Sequence, residues 1–359
     1  MFHKSGYLTV VACLFSLYCF TQDGFTPCTD KRIAYEGRIP FTEEAATLLW
    51  PGTSVRINFT GSGISGVFKD SDTSNYYNVI VDDKYIYKLH FGTEKRIYVL
   101  AKELAPGLHS LQLFKRTEWD KGRTWFYGFV CPMTTELRDP PPSPRRKIEF
   151  YGNSISCGYA IEDAVHDNSI GYYENNYDAY PAITARHFKA QYQCIAKSGI
   201  GIAISWFPLI MPEMYDRLDP EDSTSKWDFS RYTPDLVVIN LLQNDSWLVN
   251  MPNNPQFKSR FGSTAPGEDF YVQAYKAFVQ SIRDKYPSAS IICMLGNMDI
   301  TRKGSPWAGY VEKAVSLLHD AGISVYVAPY KETPGHPKTA EQKLLAEGLI
   351  RYIDEHIKW

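Results

Sequence analysis

The sequence has no excess of charge of one sign and no grouping of metal-ligating residues. Its 38 Lys and Arg nearly balance 40 Asp and Glu, so the formal net charge is −2. Nucleic-acid-binding surfaces carry a marked basic excess, so this balance argues against nucleic acid as a partner. The eight histidines show no metal-ligand spacing and the seven cysteines form no C-x-x-C pair, so we expect no metal site.

The chain also has little that could hold it in a membrane. The apolar run at residues 7–20 follows Lys4 and is too short to span a bilayer. It resembles an export signal peptide, placed approximately at residues 1–28, and predicts a periplasmic or extracellular protein without a stable membrane span. Val10-Val11-Ala12-Cys13 resembles a lipoprotein box, so lipid anchoring is an alternative, although apolar residues continue beyond it.

Export would place the cysteines in an oxidising compartment. Cys28 and Cys131 flank the N-terminal region and could join its ends, although pairing cannot be deduced from the sequence.

Residues 32–131 lack the periodicity of long helices and contain short β-like runs separated by turns, which predicts a β-sandwich domain at residues 29–137. The proline-rich stretch 138–146 is typical of a stiff linker. Two domains also suit a chain of 359 residues. The clearest β-like runs are residues 54–59, 76–81, 96–100 and 109–114.

Residues 147–359 alternate between strand and helix patterns, which predicts an α/β/α sandwich around a parallel sheet. The carboxyl ends of such strands are where ligand chemistry collects. One strand is predicted to begin at Ile148, and four more are predicted at residues 191–195, 236–241, 290–295 and 324–328. The predicted helices span residues 177–188, 269–285, 307–321 and 339–356.

Ser154 is the best candidate for a nucleophile. It follows the strand-like run 147–151, and Gly152 permits a tight turn that would project the serine from the carboxyl end of the strand. A serine hydroxyl needs a base within hydrogen-bond reach, and the oxyanion that forms needs donors already aimed at it. His336 is the best base, and the backbone N–H groups of Ser154 and Gly199 with the amide of Asn244 would make three donors.

This order of Ser, Gly, Asn and His resembles the SGNH (GDSL-like) hydrolase family over residues 146–359. The resemblance implies that Ser154 is the nucleophile, that Gly199 and Asn244 complete the oxyanion hole, and that His336 is the general base. One departure is Asn153, where the family usually has Asp; we expect activity to survive because Asn keeps the shape and much of the hydrogen bonding.

A second departure concerns the residue that orients His336. Many family members have an Asp two or three residues before the histidine, but this chain has Thr333 and Pro334 there. Either Glu332 swings in, or a backbone carbonyl receives the Nδ1 proton and leaves a Ser-His dyad, which we slightly favour.

The N-terminal domain resembles that of carbohydrate esterase family two. The resemblance rests on Gly37-Arg38, on Trp50-Pro51-Gly52-Thr53-Ser54, on residues 104–109 and on Lys115-Arg116-Thr117-Glu118. It implies a jelly-roll domain before an SGNH domain, and removal of O-acetyl groups from xylan or glucomannan through an acetyl-enzyme, without a cofactor. The N-terminal domain would either contribute to substrate binding or only cover the catalytic domain.

The 25 Tyr, 19 Phe and 8 Trp suit a protein that binds acetylated polysaccharide or oligosaccharide, although aromatic residues are also core material. Trp206, Asp245 and Trp247 are candidates for a sugar subsite. Two alternatives stay open. One is an SGNH esterase for other acyl esters, and the other is a glycan-binding protein that has lost turnover, since Asn153 and the missing Asp depart from the family pattern.

Overall fold

The structure is a computed structural model and describes residues 24–359. The predicted export signal and lipoprotein box lie almost wholly outside these residues. Phe25–Pro27, inside the approximate boundary at residue 28, form a strand that pairs with Gly128–Val130. The folded domain therefore begins earlier than residue 29.

The N-terminal part is built from short strands in two antiparallel sheets. In order they are β1 (Phe25–Pro27), β2 (Ala34–Glu36), β3 (Ala46–Leu48), β4 (Ser54–Thr60), β5 (Ile64–Asp70), β6 (Tyr77–Val81), β7 (Tyr85–Leu89), β8 (Arg96–Ala101), β9 (Leu108–Lys115), β10 (Thr124–Val130) and β11 (Glu136–Leu137). One sheet has the order β1-β10-β5-β8 with β3 also on β10, and the other has β11-β4-β9-β6-β7 with β2 on β4.

The two sheets enclose one apolar core. Buried and half-buried residues alternate along β5, as expected of a strand with one face inward. Phe68, Phe91 and Phe126 stack at the centre, with Phe68 4.1 Å from Phe91 and 5.0 Å from Phe126 between ring centroids. The predicted all-β fold of this region is confirmed.

The C-terminal part is an α/β/α sandwich, which confirms the predicted fold class. Its parallel sheet has the order β13-β12-β14-β15-β16, from β12 (Lys147–Gly152), β13 (Gln191–Ala196), β14 (Leu236–Asn240), β15 (Ser290–Leu295) and β16 (Ile323–Val327). The helices are α1 (Ser154–Cys157), α2 (Tyr180–His187), α3 (Met211–Met214), α4 (Gln243–Leu248), α5 (Pro255–Phe261), α6 (Glu268–Lys285), α7 (Trp307–Ser316) and α8 (Thr339–His356).

Helices cover both faces of this sheet. Val237 of β14 packs in the cluster that contains α6 and α7, whereas its neighbour Val238 packs in the cluster that contains α2 and α8. Strands buried on both faces read as continuous apolar runs, which is why this strand was clear in the sequence.

Helix α7 is shorter than predicted. It ends at Ser316 and not near residue 321, and His319, three residues later, has a left-handed backbone with φ 51°. Residues 138–146, the predicted linker, contain no helix or strand.

The suggested link between Cys28 and Cys131 is wrong in this structure. Cys28 pairs through its backbone with Tyr127 and Cys131 pairs with Gly24, so the cysteines are four residues apart along paired strands, about 13 Å. A disulfide needs Cα atoms within about 7 Å. All five cysteines within residues 24–359 are free thiols, and no helix in that range combines the length and apolar character of a membrane span.

Candidate active site

Ser154 lies where strand β12, between β13 and β14 in the sheet, turns into the single-turn helix α1. Asn153 caps this helix, its side-chain oxygen accepting the N–H of Ile155 at 3.0 Å. A Cβ on Gly152 would lie 1.9 Å from the Oγ of Ser156, so only glycine fits at this turn. The serine is 6% exposed, so its hydroxyl sits at the floor of the site.

The structure brings Ser154 and His336 together across 182 residues of chain. The Nε2 atom of His336 is 2.9 Å from the Oγ of Ser154. Its Nδ1 atom is 2.8 Å from Oδ2 of Asp167, and the same oxygen accepts the His336 backbone N–H at 2.9 Å. Serine, imidazole and carboxylate thus form one hydrogen-bonded chain, the arrangement that activates a serine nucleophile.

The position of Asp167 corrects both expectations about the orienting group. The carboxylate at Nδ1 belongs neither to Glu332, which is exposed, nor to a backbone carbonyl. The arrangement is a triad and not a dyad. Sequence reasoning missed Asp167 because it looked for a carboxylate just before His336, whereas this one lies 169 residues earlier, in an irregular loop.

The loop that carries Asp167 is tied down from two sides. Asp163 accepts the backbone N–H groups of Val165, His166 and Asn168. Lys338 Nζ lies 2.8 Å from the carboxylate of Asp167 and donates to the carbonyl of His166 at 2.9 Å. The hydrogen bonds from His336 and Lys338 hold the pKa of Asp167 well below its usual range. This carboxyl therefore stays ionised at neutral pH.

The predicted oxyanion donors lie at neighbouring strand ends. Ser154 begins α1, where backbone N–H groups have no partner inside the helix. Gly199 follows β13 and has φ +82°, a conformation that favours glycine. Asn244, in the first turn of α4 after β14, donates through Nδ2 to the carbonyl of Ile200 at 2.7 Å. Asn244 thus lies next to the glycine segment.

Trp206 contacts the site through Asn244. Its Nε1 donates to Oδ1 of Asn244 at 3.1 Å, which fixes which end of the amide carries the donor. The side chain is 44% exposed and lies within 3.4 Å of the place where Gly199 would carry a Cβ. A role of Trp206 in sugar binding stays a prediction.

Asp245 does not line a sugar subsite as expected. It is fully buried and accepts the backbone N–H groups of Ile202, Ala203 and Ile204 at 2.7–3.1 Å. Burial raises the pKa of Asp245 to about 6. This carboxylate organises the loop after Gly199 instead of meeting substrate.

Trp247 lies two residues after Asp245 in α4. Its indole N–H donates to Asp299 at 3.0 Å, and its ring packs against the helix cluster of α2 and α8. The packing gives this residue a structural task, and its place in a subsite stays a prediction.

Within the described residues, no group of three His, Cys, Asp or Glu side chains could hold a metal ion. The chemistry that this arrangement supports is acyl transfer through Ser154. The base, the orienting carboxylate and the oxyanion donors all come from side chains and backbone of this chain.

The chain is similar to several known proteins. A family model described as the carbohydrate esterase 2 N-terminal domain matches residues 35–141. The cellulase/esterase CelE of Acetivibrio thermocellus is 33% identical over 94% of this chain, and the chain spans 41% of the length of that relative. An acetylxylan esterase / glucomannan deacetylase of Cellvibrio japonicus is 23% identical over 92% of this chain and 90% of that protein.

A solved structure is similar over nearly its whole length. It is a family two carbohydrate esterase from Clostridium thermocellum in complex with cellohexaose, with 32% identity and a TM-score of 0.79. The match covers 90% of this chain and 98% of that one.

Proposed function

Because the chain belongs to carbohydrate esterase family two, we propose that it is a serine esterase that removes O-acetyl groups from plant polysaccharides. The observation that carries the proposal is the hydrogen-bonded chain from Ser154 through His336 to Asp167, at 2.9 Å and 2.8 Å. It supplies the nucleophile and the base that ester hydrolysis needs.

Acylation begins when the Oγ of Ser154 attacks the acetyl carbonyl and its proton passes to Nε2 of His336. Asp167 holds the imidazole in the correct tautomer and stabilises the imidazolium. The oxyanion is stabilised by the backbone N–H groups of Ser154 and Gly199 and by the amide of Asn244. Collapse breaks the bond between the acetyl carbon and the sugar oxygen, and His336 gives its proton to that departing oxygen, which becomes the free sugar hydroxyl.

Deacylation repeats these steps with water as the nucleophile. His336 takes a proton from water as it attacks the acetyl-enzyme, and Ser154 regains its proton when acetate leaves. The acetyl group stays covalently on Ser154 between the two half-reactions, so the reaction is a ping-pong acyl transfer that needs no cofactor.

Acetylated xylan and acetylated glucomannan are the proposed substrates. The name of the Cellvibrio relative supports them, and the cellohexaose complex of the Clostridium structure supports a β-linked glycan in the cleft. We also propose export to the periplasm or the extracellular space, where such polymers occur. The support for export is the N-terminal pattern at residues 7–20.

The test is acetate release from acetylated xylan and acetylated glucomannan, with Ser154→Ala as the control. Release that disappears in the variant establishes a serine deacetylase and ranks the two polymers. No release from either polymer would contradict the substrate proposal. A series of nitrophenyl esters then shows whether longer acyl chains are preferred, as a general acyl esterase would prefer them.

Glycan binding without turnover is the second candidate, because the similar Clostridium structure contains cellohexaose. Labelling of Ser154 by a serine-directed organophosphate separates the two candidates. A chain that binds cellohexaose while Ser154 stays unlabelled would be a binding protein.

A further inference from the structure

The motif Lys115-Arg116-Thr117-Glu118, which the proposed mechanism does not use, begins at the last residue of β9 and continues into the segment before β10. All four side chains are buried, at 0–3% exposure. Lys115 and Thr117 bond to Asn75 within the N-terminal domain, whereas Arg116 and Glu118 reach the catalytic domain. Arg116 donates to the carbonyl of Glu174 at 3.2 Å, and the backbone N–H of Glu118 donates to the carboxylate of Glu174 at 3.1 Å.

Glu118 reaches the residue next to the glycine of the oxyanion hole. Its Oε2 accepts the backbone N–H of Ser198 at 2.6 Å, and Gly199 is the following residue. This contact is short for an N–H···O hydrogen bond, and the low local dielectric of a buried position strengthens such bonds. The peptide unit between Lys197 and Ser198, one unit before the one that carries the Gly199 N–H, is therefore held by a side chain from the other domain.

A second acidic residue of the same segment contacts Lys197, the residue before Ser198. Asp120 forms an ion pair with Lys197 at 2.6 Å, and Lys197 Nζ lies 4.5 Å from the centre of the Trp119 ring. Within the catalytic domain, the N–H of Lys197 reaches the carbonyl of Gly152 at 3.4 Å and the N–H of Trp206 reaches the carbonyl of Gly199 at 3.0 Å, so the longer of these two bonds lies on the amino-terminal side of Gly199.

We propose that Glu118 is a positioning residue of the active site, by which the N-terminal domain places the Gly199 N–H for the oxyanion. This inference rests on the proposed function of Ser154. Donors in an oxyanion hole work because they are already in place, and displacements near 1 Å in a catalytic arrangement cost about 10²-fold in rate. Gly199 has φ +82°, which favours glycine, and its carbonyl accepts the N–H of Trp206 at 3.0 Å, so the contact of Glu118 with Ser198 fixes the chain on the amino-terminal side.

The experiment compares Glu118→Ala with Glu118→Gln on nitrophenyl acetate. The alanine leaves the N–H of Ser198 without its acceptor, so kcat should fall at least tenfold while KM changes less than twofold. Glutamine keeps an acceptor oxygen at the same reach and should restore most of kcat. A folded alanine variant with wild-type kcat, or a loss confined to KM, would overturn the proposal.

A matched control tests domain contact in general. Arg123→Ala removes a different pair of ion pairs between the domains, to Asp219 and Glu221 at 2.7 Å, and should leave kcat unchanged. Equal losses of kcat in Arg123→Ala and Glu118→Ala would mean that any loosening of the domains lowers the rate, and the specific role would be wrong.

Two further variants test the same role of Glu118. If Glu118→Ala does not fold, Glu118→Asp replaces it. The carboxyl group is then one methylene shorter and no longer reaches the N–H of Ser198. A kcat equal to that of Glu118→Gln would contradict the proposal. Combining Glu118→Ala with Asn244→Ala should cost less than the product of the single losses, since both act on one oxyanion. Wild-type protein without any turnover would instead contradict the proposed function itself.

Discussion

His336 is held at three atoms, and two of these contacts end on one oxygen. Oδ2 of Asp167 accepts both Nδ1–H and the backbone N–H of His336, while Nε2 faces Ser154. The ring of Tyr159 lies 4.7 Å away between centroids and limits rotation of the imidazole. The orientation of the base thus depends on one carboxylate oxygen.

Replacing Asp167 should therefore lower turnover strongly. In Asp167→Ala we expect kcat to fall by about 10²–10⁴-fold, because the imidazole loses its orientation and the charge that stabilises imidazolium. Steady-state rates on nitrophenyl acetate give the value. Glu332→Gln is the matched control and should remain close to wild type; if the losses were reversed between the two variants, Glu332 would be the orienting residue.

The amide of Asn244 is one of the three donors in the proposed oxyanion hole. Asn244→Ala should cost about 2.7–4 kcal/mol in the barrier if this amide is one donor. Single-turnover acylation of Ser154 measures the loss without interference from product release. A wild-type acylation rate would remove Asn244 from the site.

Trp206 should affect the rate through the same amide. Trp206→Phe keeps the ring but removes the donor to Oδ1, a hydrogen bond worth about 0.5–1.5 kcal/mol, so we expect a loss of about 2–13-fold in kcat. In the Asn244→Ala background the same change should have almost no effect on kcat. A larger effect on KM for oligosaccharides than on kcat would indicate sugar stacking by Trp206 instead.

The loop between β13 and α3 is held in place by a side chain of α4. Three successive N–H groups, of Ile202, Ala203 and Ile204, converge on Asp245 at the start of α4. A Cβ on Gly201 would lie 2.0 Å from the carbonyl oxygen of Ile204. Gly201 is thus needed for close packing, whereas Gly199, two residues earlier, is needed for its backbone angles.

Asp245 should make stability depend on pH. Burial raises the pKa of this carboxyl to about 6, so the folded protein binds the proton more tightly than the unfolded chain, where Asp titrates near about 3.9. Between these values the unfolding free energy should fall as pH rises. Urea unfolding of both proteins should show that the unfolding free energy of the wild type, relative to that of Asp245→Asn, decreases between about pH 4 and about pH 7.

A control should change in the opposite direction. Hydrogen bonds from Thr224 lower the pKa of the exposed Asp222. The ionised carboxylate therefore stabilises the fold at pH values above its unfolded pKa, and this stabilisation is lost as pH falls. The unfolding free energy of the wild type, relative to that of Asp222→Asn, should therefore increase as pH rises. A pH-independent difference for Asp245→Asn would contradict the role assigned to burial.

Regular elements could be predicted from the sequence where one physical signal dominates. The bounds of β15 and α8 agree with the predictions, because an apolar run bounded by turn residues and a long amphipathic pattern are both local signals. Helix α1, of four residues, is too short to show a period. Asp167 could not be found because its contact with His336 depends on the path of the loop at residues 163–170, which has no periodic pattern.

The two domains meet at the motifs on which the family resemblance rests. Arg38 is fully buried and pairs with Glu149 of β12 at 3.0 Å, while also donating to the carbonyl of Tyr215. The indole of Trp50 donates to the carbonyl of Leu218 at 2.8 Å, and its ring belongs to the apolar core of the catalytic domain. The N-terminal domain therefore supplies part of the interior of the second domain.

Breaking this contact should destabilise the entire molecule. Arg38→Met leaves Glu149 buried without its partner and should cost about 3–5 kcal/mol in unfolding free energy. Arg123→Ala, at a partly exposed pair between the same domains, should cost about 1 kcal/mol or less. Urea unfolding followed by tryptophan fluorescence measures both, and equal costs would mean that burial of Arg38 contributes nothing.

The buried Arg38 also sets an order of events during synthesis. Glu149 follows it by 111 residues, so at about 5–20 residues per second the ribosome delivers the partner roughly 6–20 s later. The last strands of the sandwich, β10 and β11, are themselves made only shortly before Glu149, and until Glu149 follows, the guanidinium has no carboxylate partner and stays hydrated. The desolvation takes place only when the second half of the chain arrives, so a ribosome-bound fragment that ends before Glu149 should expose Arg38 to arginine-modifying reagents and the finished protein should not.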